Sequence, residues 1–176
     1  MNLKQIPIRR KLEQDIRAAF SGVILGNGVS LSQAEVIDRY GKDRDSKPIS
    51  DKQFRDLKSK DEVTHWTRIT LDDLDRDNIA HLDAEGLRYY LPALMLSVLE
   101  AYDPGSMRVI GTLSALDPRP MSKYHIVRYS LLDDRQKRVI AQFLSLLPAL
   151  LQLDRKDEVR LERAVTGYWQ RFLPNA

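Results

Sequence analysis

The sequence contains no cysteine among its 176 residues. This absence excludes disulfide bonds, zinc sites built on thiolates and a cysteine nucleophile, and it is typical of a protein of the reducing cytosol. No apolar signal core follows Met1, and the longest strongly apolar run, residues 91–99, is about half as long as a bilayer-spanning helix. We therefore expect a cytoplasmic protein without a membrane partner.

Neither sign of charge dominates, because 28 Lys and Arg stand against 25 Asp and Glu for a net charge of +3. The charges are grouped: residues 61–85 hold eight acids and two bases, whereas residues 42–60 hold seven bases and four acids. A mosaic of patches, rather than a basic stripe, is weak support for nucleic-acid binding.

Hydrophobic residues make up 43% of the chain and charged residues 30%, which is a globular composition. The length fits one domain over residues 1–176. Within it the charged segment near 42–50 lacks apolar residues and is predicted to be a mobile loop.

Three apolar stripes with helical spacing dominate the pattern: Leu87–Tyr102, Val139–Leu151 and Leu161–Phe172. Asp83 is predicted to cap the first, and Asp133-x-x-Gln136 is a capping signal for the second. Pro92 either kinks the first helix or marks its start, and we favour a single kinked helix. Because such stripes must cover one another, we predict a mainly α, helical bundle-like core with at most short β segments.

Shorter elements are also predicted. Earlier helices are expected over 9–21, 31–40 and 50–60, and the second of these opens with the capping signals Ser30-x-x-Gln33 and Ser32-x-x-Glu35. The candidates for extended structure are residues 63–71, residues 107–116 (with a short helix as the alternative) and residues 124–129.

Asp73-x-Asp75-x-Asp77 resembles the opening of a calcium-binding loop. That loop requires Gly at its sixth position and Glu at its twelfth, where this chain has Asn78 and Ala84. An acidic surface turn is the better interpretation, and we expect neither a metal nor a cofactor.

A small hydrolase or transferase with a spatially assembled site is one alternative function. Its candidate residues are Asp83, Glu85, Arg88, His81 and His125. The chain lacks the Gly-x-Ser-x-Gly elbow and the phosphate-binding loop, and no two histidines have the spacing of a helical metal site. The simpler interpretation is that Asp83 and Glu85 lie at the start of a helix and that the histidines have structural roles.

Nucleic-acid binding is a second alternative. The bases that support it are Lys47, Lys52, Arg55, Lys58 and Lys60 around Phe54, and Arg119, Lys123 and Arg128 among Tyr124 and Tyr129. Acidic residues near the first group reduce its net positive charge, and tyrosine side chains usually pack in the protein interior. This alternative therefore ranks below the others.

The leading expectation is a non-enzymatic module that binds another protein. Tryptophan and arginine are common interface residues, and Trp66 and Arg68 precede the acidic segment. The candidate contacts are Trp66, Arg68, Asp73, Asp75, Asp77, Asp83, Glu85 and Arg88. For Trp66 a position in the core is the commoner alternative. The oligomeric state stays open.

The segment Asp83–Met95 resembles a bacterial domain family of unknown function, which carries an Asp-Pro-Glu-Gly-Phe-Arg-Phe-Tyr-Leu-Pro-Ala-x-Met-like sequence. The segments 34–41, 114–118, 131–136 and 168–169 and Trp66 are also similar to it, so the resemblance spans residues 16–169. Ala84 replaces the family's proline. The resemblance implies no activity. Similar segments occur near toxin–immunity loci, which implies an immunity or regulatory protein that blocks a partner.

Overall fold

The computed structural model describes residues 3, 5–42, 49–61, 64–76, 78–118 and 123–174, except for the side chains of 40–42, 124 and 125. These ranges contain nine α-helices and no strand, which confirms the mainly α prediction. The helices are α1 (Gln5–Ala19), α2 (Leu31–Lys42), α3 (Asp51–Leu57), α4 (Leu71–Leu74), α5 (Ala84–Glu100), α6 (Met107–Ala115), α7 (Lys123–Arg128), α8 (Asp134–Leu150) and α9 (Arg155–Gly167). Short 3-10 turns cover Lys58–Lys60, Trp66–Arg68, Ile79–His81 and Trp169–Phe172.

Helix α5 forms the centre of the core. Its side chains are buried over most of its length, and α1, α6, α7 and α8 all pack against it. Asp83 caps its N-terminus by accepting a hydrogen bond from the Gly86 amide at 2.7 Å. The helix continues through Pro92, so the prediction of one helix rather than a later start is confirmed.

Helices α1 and α8 lie antiparallel. The Gln136 side-chain amide, near the start of α8, donates to the Ala19 carbonyl at the end of α1 at 3.1 Å. At the other end Gln5 donates to the Ala149 carbonyl. The capping box predicted at Asp133 and Gln136 is present. Helix α8 also packs on α5 and α9, so the three predicted apolar stripes do cover one another.

The C-terminal segment of the chain also covers α8. Helix α9 and the 3-10 turn Trp169–Phe172 both pack on α8. The indole Nε1–H of Trp169 donates to the Leu116 carbonyl at 2.7 Å, which ties the chain end to the end of α6. The last helix thus ends before the predicted stripe Leu161–Phe172 does, because the chain tightens into this turn after Gly167.

The predicted extended segments are helical or irregular instead. Residues 124–129 lie largely in α7, where Arg128 donates to the Ile79 carbonyl at 2.9 Å and is buried with Tyr129. In the 63–71 segment the described residues form a 3-10 turn, followed by α4. Short runs with alternating polarity fit either state, and packing decided between them. For 107–116 the helical alternative is confirmed.

Two helix ends also differ from prediction. Helix α1 starts at Gln5, so Pro7 lies inside its first turn, where a missing N–H costs little. Helix α2 continues through Gly41 to Lys42. Residues 43–48, most of the predicted mobile loop, lie outside the described residues. Over the described part of the chain, no helix is both long and apolar enough to span a membrane.

Candidate functional site

A polar cleft of about 360 Å³ opens between α2 and the segment that leads into α5. Glu35 and Asp38 of α2, with Arg76 and Asn78 of the segment, line it. The two acids are three residues apart, which places them on one face of α2. We call this cavity the α2 cleft.

The position of α2 is fixed at its N-terminus. The Ser30 amide donates to the Gln33 side chain at 3.0 Å, and the Gln33 amide lies 3.4 Å from the Ser30 hydroxyl. This is the predicted Ser30-x-x-Gln33 capping box. Two residues after Ser30, the amide and the hydroxyl of Ser32 both donate hydrogen bonds of 2.8 Å to the Asp61 carboxylate. The cleft wall is therefore held by local and distant contacts.

Arg76 reaches the cleft with its charge already balanced. Its Nη1 lies 3.2 Å from the Ser32 hydroxyl and 3.5 Å from the carboxylate of Asp61, whose side chain is 4% exposed. Its Nη2 lies 3.9 Å from Asp73. The hydroxyl and backbone amide of Thr70 lower the pKa of Asp73 by hydrogen bonding, and Arg76 lowers it further. Arg76 therefore adds little net positive charge to the cleft.

His81 supports the acidic wall from one side. Its Nε2 lies 2.7 Å from the Asp38 carboxylate, and the two side chains are 32% and 19% exposed. This pair joins residues 43 positions apart. It orients the Asp38 carboxylate, which lines the cleft.

Asn78 supplies the most specific feature of the cleft. It is 2% exposed, and its side-chain nitrogen donates to the Leu31 carbonyl at the start of α2. Its side-chain oxygen is buried and accepts no hydrogen bond from any residue that the structure describes. Buried polar atoms are nearly always paired, so this oxygen marks a place where a donor is expected.

Other cavities are different in character. A larger groove of about 610 Å³ between α1 and α8 is lined mainly by apolar side chains, including Ile8, Leu146 and Leu173. Another, of about 620 Å³, lies where α5 and α8 end, near Tyr102. None of the buried unpaired atoms found in the described ranges belongs to a residue that lines these two cavities. The α2 cleft is therefore the candidate site.

Trp66, one of the predicted contact residues, lies in the core. It is 1% exposed, and its Nε1–H donates to the Phe20 carbonyl at 2.9 Å. The core alternative for this residue is thus the one observed, and the side chain is not available to a partner here. Its neighbour Arg68 is exposed.

Three of the predicted acidic contacts, Asp73, Asp75 and Asp83, accept hydrogen bonds from backbone amides rather than forming one site. Asp73 completes the capping box of α4 with Thr70, and Asp75 accepts a hydrogen bond of 3.0 Å from the Arg108 amide. Asp83 caps α5 and also accepts from the Val29 amide at 2.9 Å. Their carboxylates are therefore directed at three different parts of the backbone.

The remaining predicted contacts are also dispersed. Glu85 is exposed beside the loop around Gly26. Arg88 donates to the Gln136 side chain at 3.1 Å. Asp77 lies outside the described residues. Neither Glu85 nor Arg88 lines the α2 cleft, as they would have to do if all the predicted contacts formed one surface.

The described side chains of the alternative catalytic site have different partners rather than one another. His81 meets Asp38, which was not among the candidates, whereas Asp83 and Arg88 bind other partners. The side chain of His125 lies outside the described residues. His65, the third histidine, caps its own turn by accepting from the Thr67 amide at 3.3 Å. Across the described part of the chain no cluster of three potential metal ligands is present.

Part of the basic set considered for nucleic acid has structural roles. The Lys58 ammonium donates to the carbonyls of Gly26 and Gly28 at 2.8 and 2.7 Å. Arg128 is 3% exposed, and Tyr129, at 1%, donates its hydroxyl to the Ala115 carbonyl. These three side chains are therefore bound to backbone carbonyls within the fold.

Sequence reasoning missed four of the five groups at the cleft. Only His81 was a candidate, whereas Glu35, Asp38, Arg76 and Asn78 were not. The Glu35-x-x-Asp38 spacing signals a shared helical face, but many surface helices carry such pairs. Asn78 was considered only for the calcium-loop pattern, and nothing local indicates that its side-chain oxygen is buried.

A family model matches residues 8–173 of the chain, and its description is Family of unknown function (DUF6714). No curated protein and no solved structure matches the chain. The match confirms the expectation of an uncharacterised domain family. The motif proposed for that family and its bacterial origin stay predictions.

Proposed function

The chain belongs to the Family of unknown function (DUF6714), and from this premise we propose that it is a non-enzymatic protein-binding module. The proposed contact surface is the α2 cleft with its rim. The single observation that carries the proposal is made at Asn78, a residue that lines an open acidic cleft and whose buried side-chain oxygen accepts no hydrogen bond from any described residue. A partner that inserts a polar side chain would supply a donor.

The composition of the cleft supports a protein partner over a small substrate. Small-molecule pockets are usually lined by apolar and aromatic side chains with a few polar groups. Glu35, Asp38, Arg76 and Asn78 are all polar or charged, and Glu35 is about half exposed. A half-exposed charged rim around a buried polar acceptor is an arrangement that a protruding side chain can fill.

The immunity or regulatory role implied by the resemblance is the narrower form of this proposal. In that form the bound partner is a protein whose own activity is blocked while the cleft is occupied. Occlusion requires a stable complex, so the effect on the partner should disappear with the same substitutions that abolish binding.

The test is site-specific photo-crosslinking in cells. A photo-reactive amino acid is placed at Glu35 in one variant and, as a matched control, at Glu162 of α9 in another, since both positions are exposed. We expect one partner protein to crosslink at position 35 and not at position 162. The purified partner should then bind E162R as it binds the wild type and bind E35R much more weakly. Equal affinity for E35R and E162R would contradict the proposal.

A hydrolase or transferase is the second candidate, favoured by the 2.7 Å contact between His81 and Asp38. A histidine oriented by a carboxylate can act as a general base at neutral pH. If the chain is such an enzyme, hydrolysis of an activated ester should be lost in H81A and retained in H65A. Equal residual rates in the two variants would exclude His81 as the base in this reaction.

A further inference from the structure

We infer that the outer face of α1 binds the same face of a second copy of this chain, with the two α1 helices antiparallel. This inference goes beyond the proposed function, because the groove beside this face shares no lining residue with the α2 cleft. The face consists of Ile8, Lys11, Asp15 and Ala18. Their spacing of three, four and three residues places them along one side of the helix, as in the seam of a coiled coil.

This face of α1 is accessible. Ile8 is 43% exposed, Lys11 and Ala18 are exposed, and Asp15 is partly exposed. Ile8, Lys11 and Asp15 also line the groove of about 610 Å³ between α1 and α8, most of whose other lining side chains are apolar. An exposed isoleucine that continues into an apolar groove forms a larger apolar patch than a single exposed residue does, and such patches are typical of contact surfaces.

The order of residue types along the face points to a second copy as the occupant. From Ile8 to Ala18 the order is apolar, positive, negative, apolar. When two α1 helices lie antiparallel and are centred midway between positions 11 and 15, residues equally far from that centre face each other. Ile8 of each copy then faces Ala18 of the other, and Lys11 of each copy faces Asp15 of the other. A large apolar side chain opposite a small one packs well between helices.

The charges of the face are complementary to themselves. Lys11 and Asp15 form an ion pair within α1. In the antiparallel dimer the two ion pairs lie side by side with their signs reversed, so each charge gains a second neighbour of opposite sign. A two-fold interface requires a surface that is complementary to itself in this way. A partner surface of a single charge sign would instead repel either Lys11 or Asp15.

Sedimentation equilibrium of the whole chain tests for the dimer. We expect a mass that rises with concentration towards twice the 20.3 kDa of one chain. Ile8→Asp places a charge in the proposed interface and should weaken the dimer at least about tenfold. Val159→Asp on α9 is the matched control, since Val159 is 42% exposed, and it should leave the affinity unchanged. Circular dichroism verifies that both variants fold.

Charge reversal tests the antiparallel pairing. K11D places two negative charges opposite each other at both facing pairs, and D15K places two positive charges there. Each variant alone should therefore be monomeric at concentrations where the wild type is a dimer. Mixed in equal amounts, K11D and D15K should form a heterodimer, because both facing pairs are then of opposite sign. The exposed ion pair of Arg155 and Glu158 on α9 supplies the control, since R155D and E158K should each dimerise like the wild type.

Three results would each overturn part or all of this inference. A wild-type chain that stays monomeric up to about 1 mM would overturn the dimer, whether or not another protein binds this face. Equal affinity of I8D and V159D for themselves would overturn the location. If the wild type dimerises and the mixture of K11D and D15K does not, the antiparallel arrangement is wrong. Each of these results leaves the crosslinking result at Glu35 standing.

Discussion

The indole Nε1–H of Trp66 donates a hydrogen bond of 2.9 Å to the carbonyl oxygen of Phe20, 46 residues earlier in the chain. Both residues are buried, at 1% and 0% exposure. The bond joins the 3-10 turn at residues 66–68 to the end of α1. A tryptophan that sequence reasoning offered as a partner contact thus holds two distant segments together.

Trp66→Phe should therefore destabilise the fold, by about 2 kcal/mol, because it removes a buried hydrogen bond and part of a large buried ring. Arg68→Ala, two residues away, removes an exposed side chain and should change stability by less than about 0.5 kcal/mol. Urea denaturation followed by circular dichroism measures both. Similar midpoints for W66F and the wild type would show that the indole contact contributes nothing to stability.

Gly28 lies where the loop before α2 meets the start of α5. A Cβ at this position would stand 2.6 Å from the backbone nitrogen of Gly86 and 2.7 Å from the Cβ of Glu85. Because neither atom can move without shifting α5, Gly28→Ala should cost about 1–3 kcal/mol and lower the Tm.

Gly22→Ala is the matched control, since a Cβ there meets nothing within 4 Å. In this variant the Tm should be unchanged or slightly higher, because alanine restricts the unfolded chain. Thermal unfolding by circular dichroism compares the two variants. A Tm for G28A equal to that of G22A would mean that the loop does not approach α5 so closely in solution.

Asp157 gives the stability a defined pH dependence. It is 3% exposed and accepts a hydrogen bond of 2.8 Å from the Tyr102 hydroxyl. Burial is the main cause that raises its pKa above the ordinary value of 3.8. The folded state therefore holds this proton more tightly than the unfolded state. The contribution of Asp157 to stability falls as the pH rises from the ordinary pKa through the raised pKa.

The asparagine side chain in D157N does not titrate, so the variant lacks this pH dependence. The free energy of unfolding of D157N, relative to the wild type, should therefore increase from about pH 4 towards neutrality. Urea denaturation of both proteins at several pH values in that range measures the difference, and the other titrating groups cancel in it. A difference that stays constant or decreases with pH would contradict the raised pKa.

Much of the fold was predictable because its determinants are local. The helical spacing of Leu87–Tyr102 and the caps at Asp83 and Asp133 depend on residues within a few turns of one another, and the structure has the expected helices there. The predictions of extended structure were wrong where a run was short. At residues 124–129 the alternation is too brief to separate strand from helix, and the contacts of Arg128 and Tyr129 favoured the helix.

The sequence by itself determined the helical class and the order of the main helices, since hydrophobic period and capping chemistry act over neighbouring residues. Only the tertiary structure decided the site. Asn78 meets Leu31 across 47 positions, and His81 meets Asp38 across 43. No local pattern records which distant residues meet, because that choice follows from how the apolar faces of all the helices cover one another.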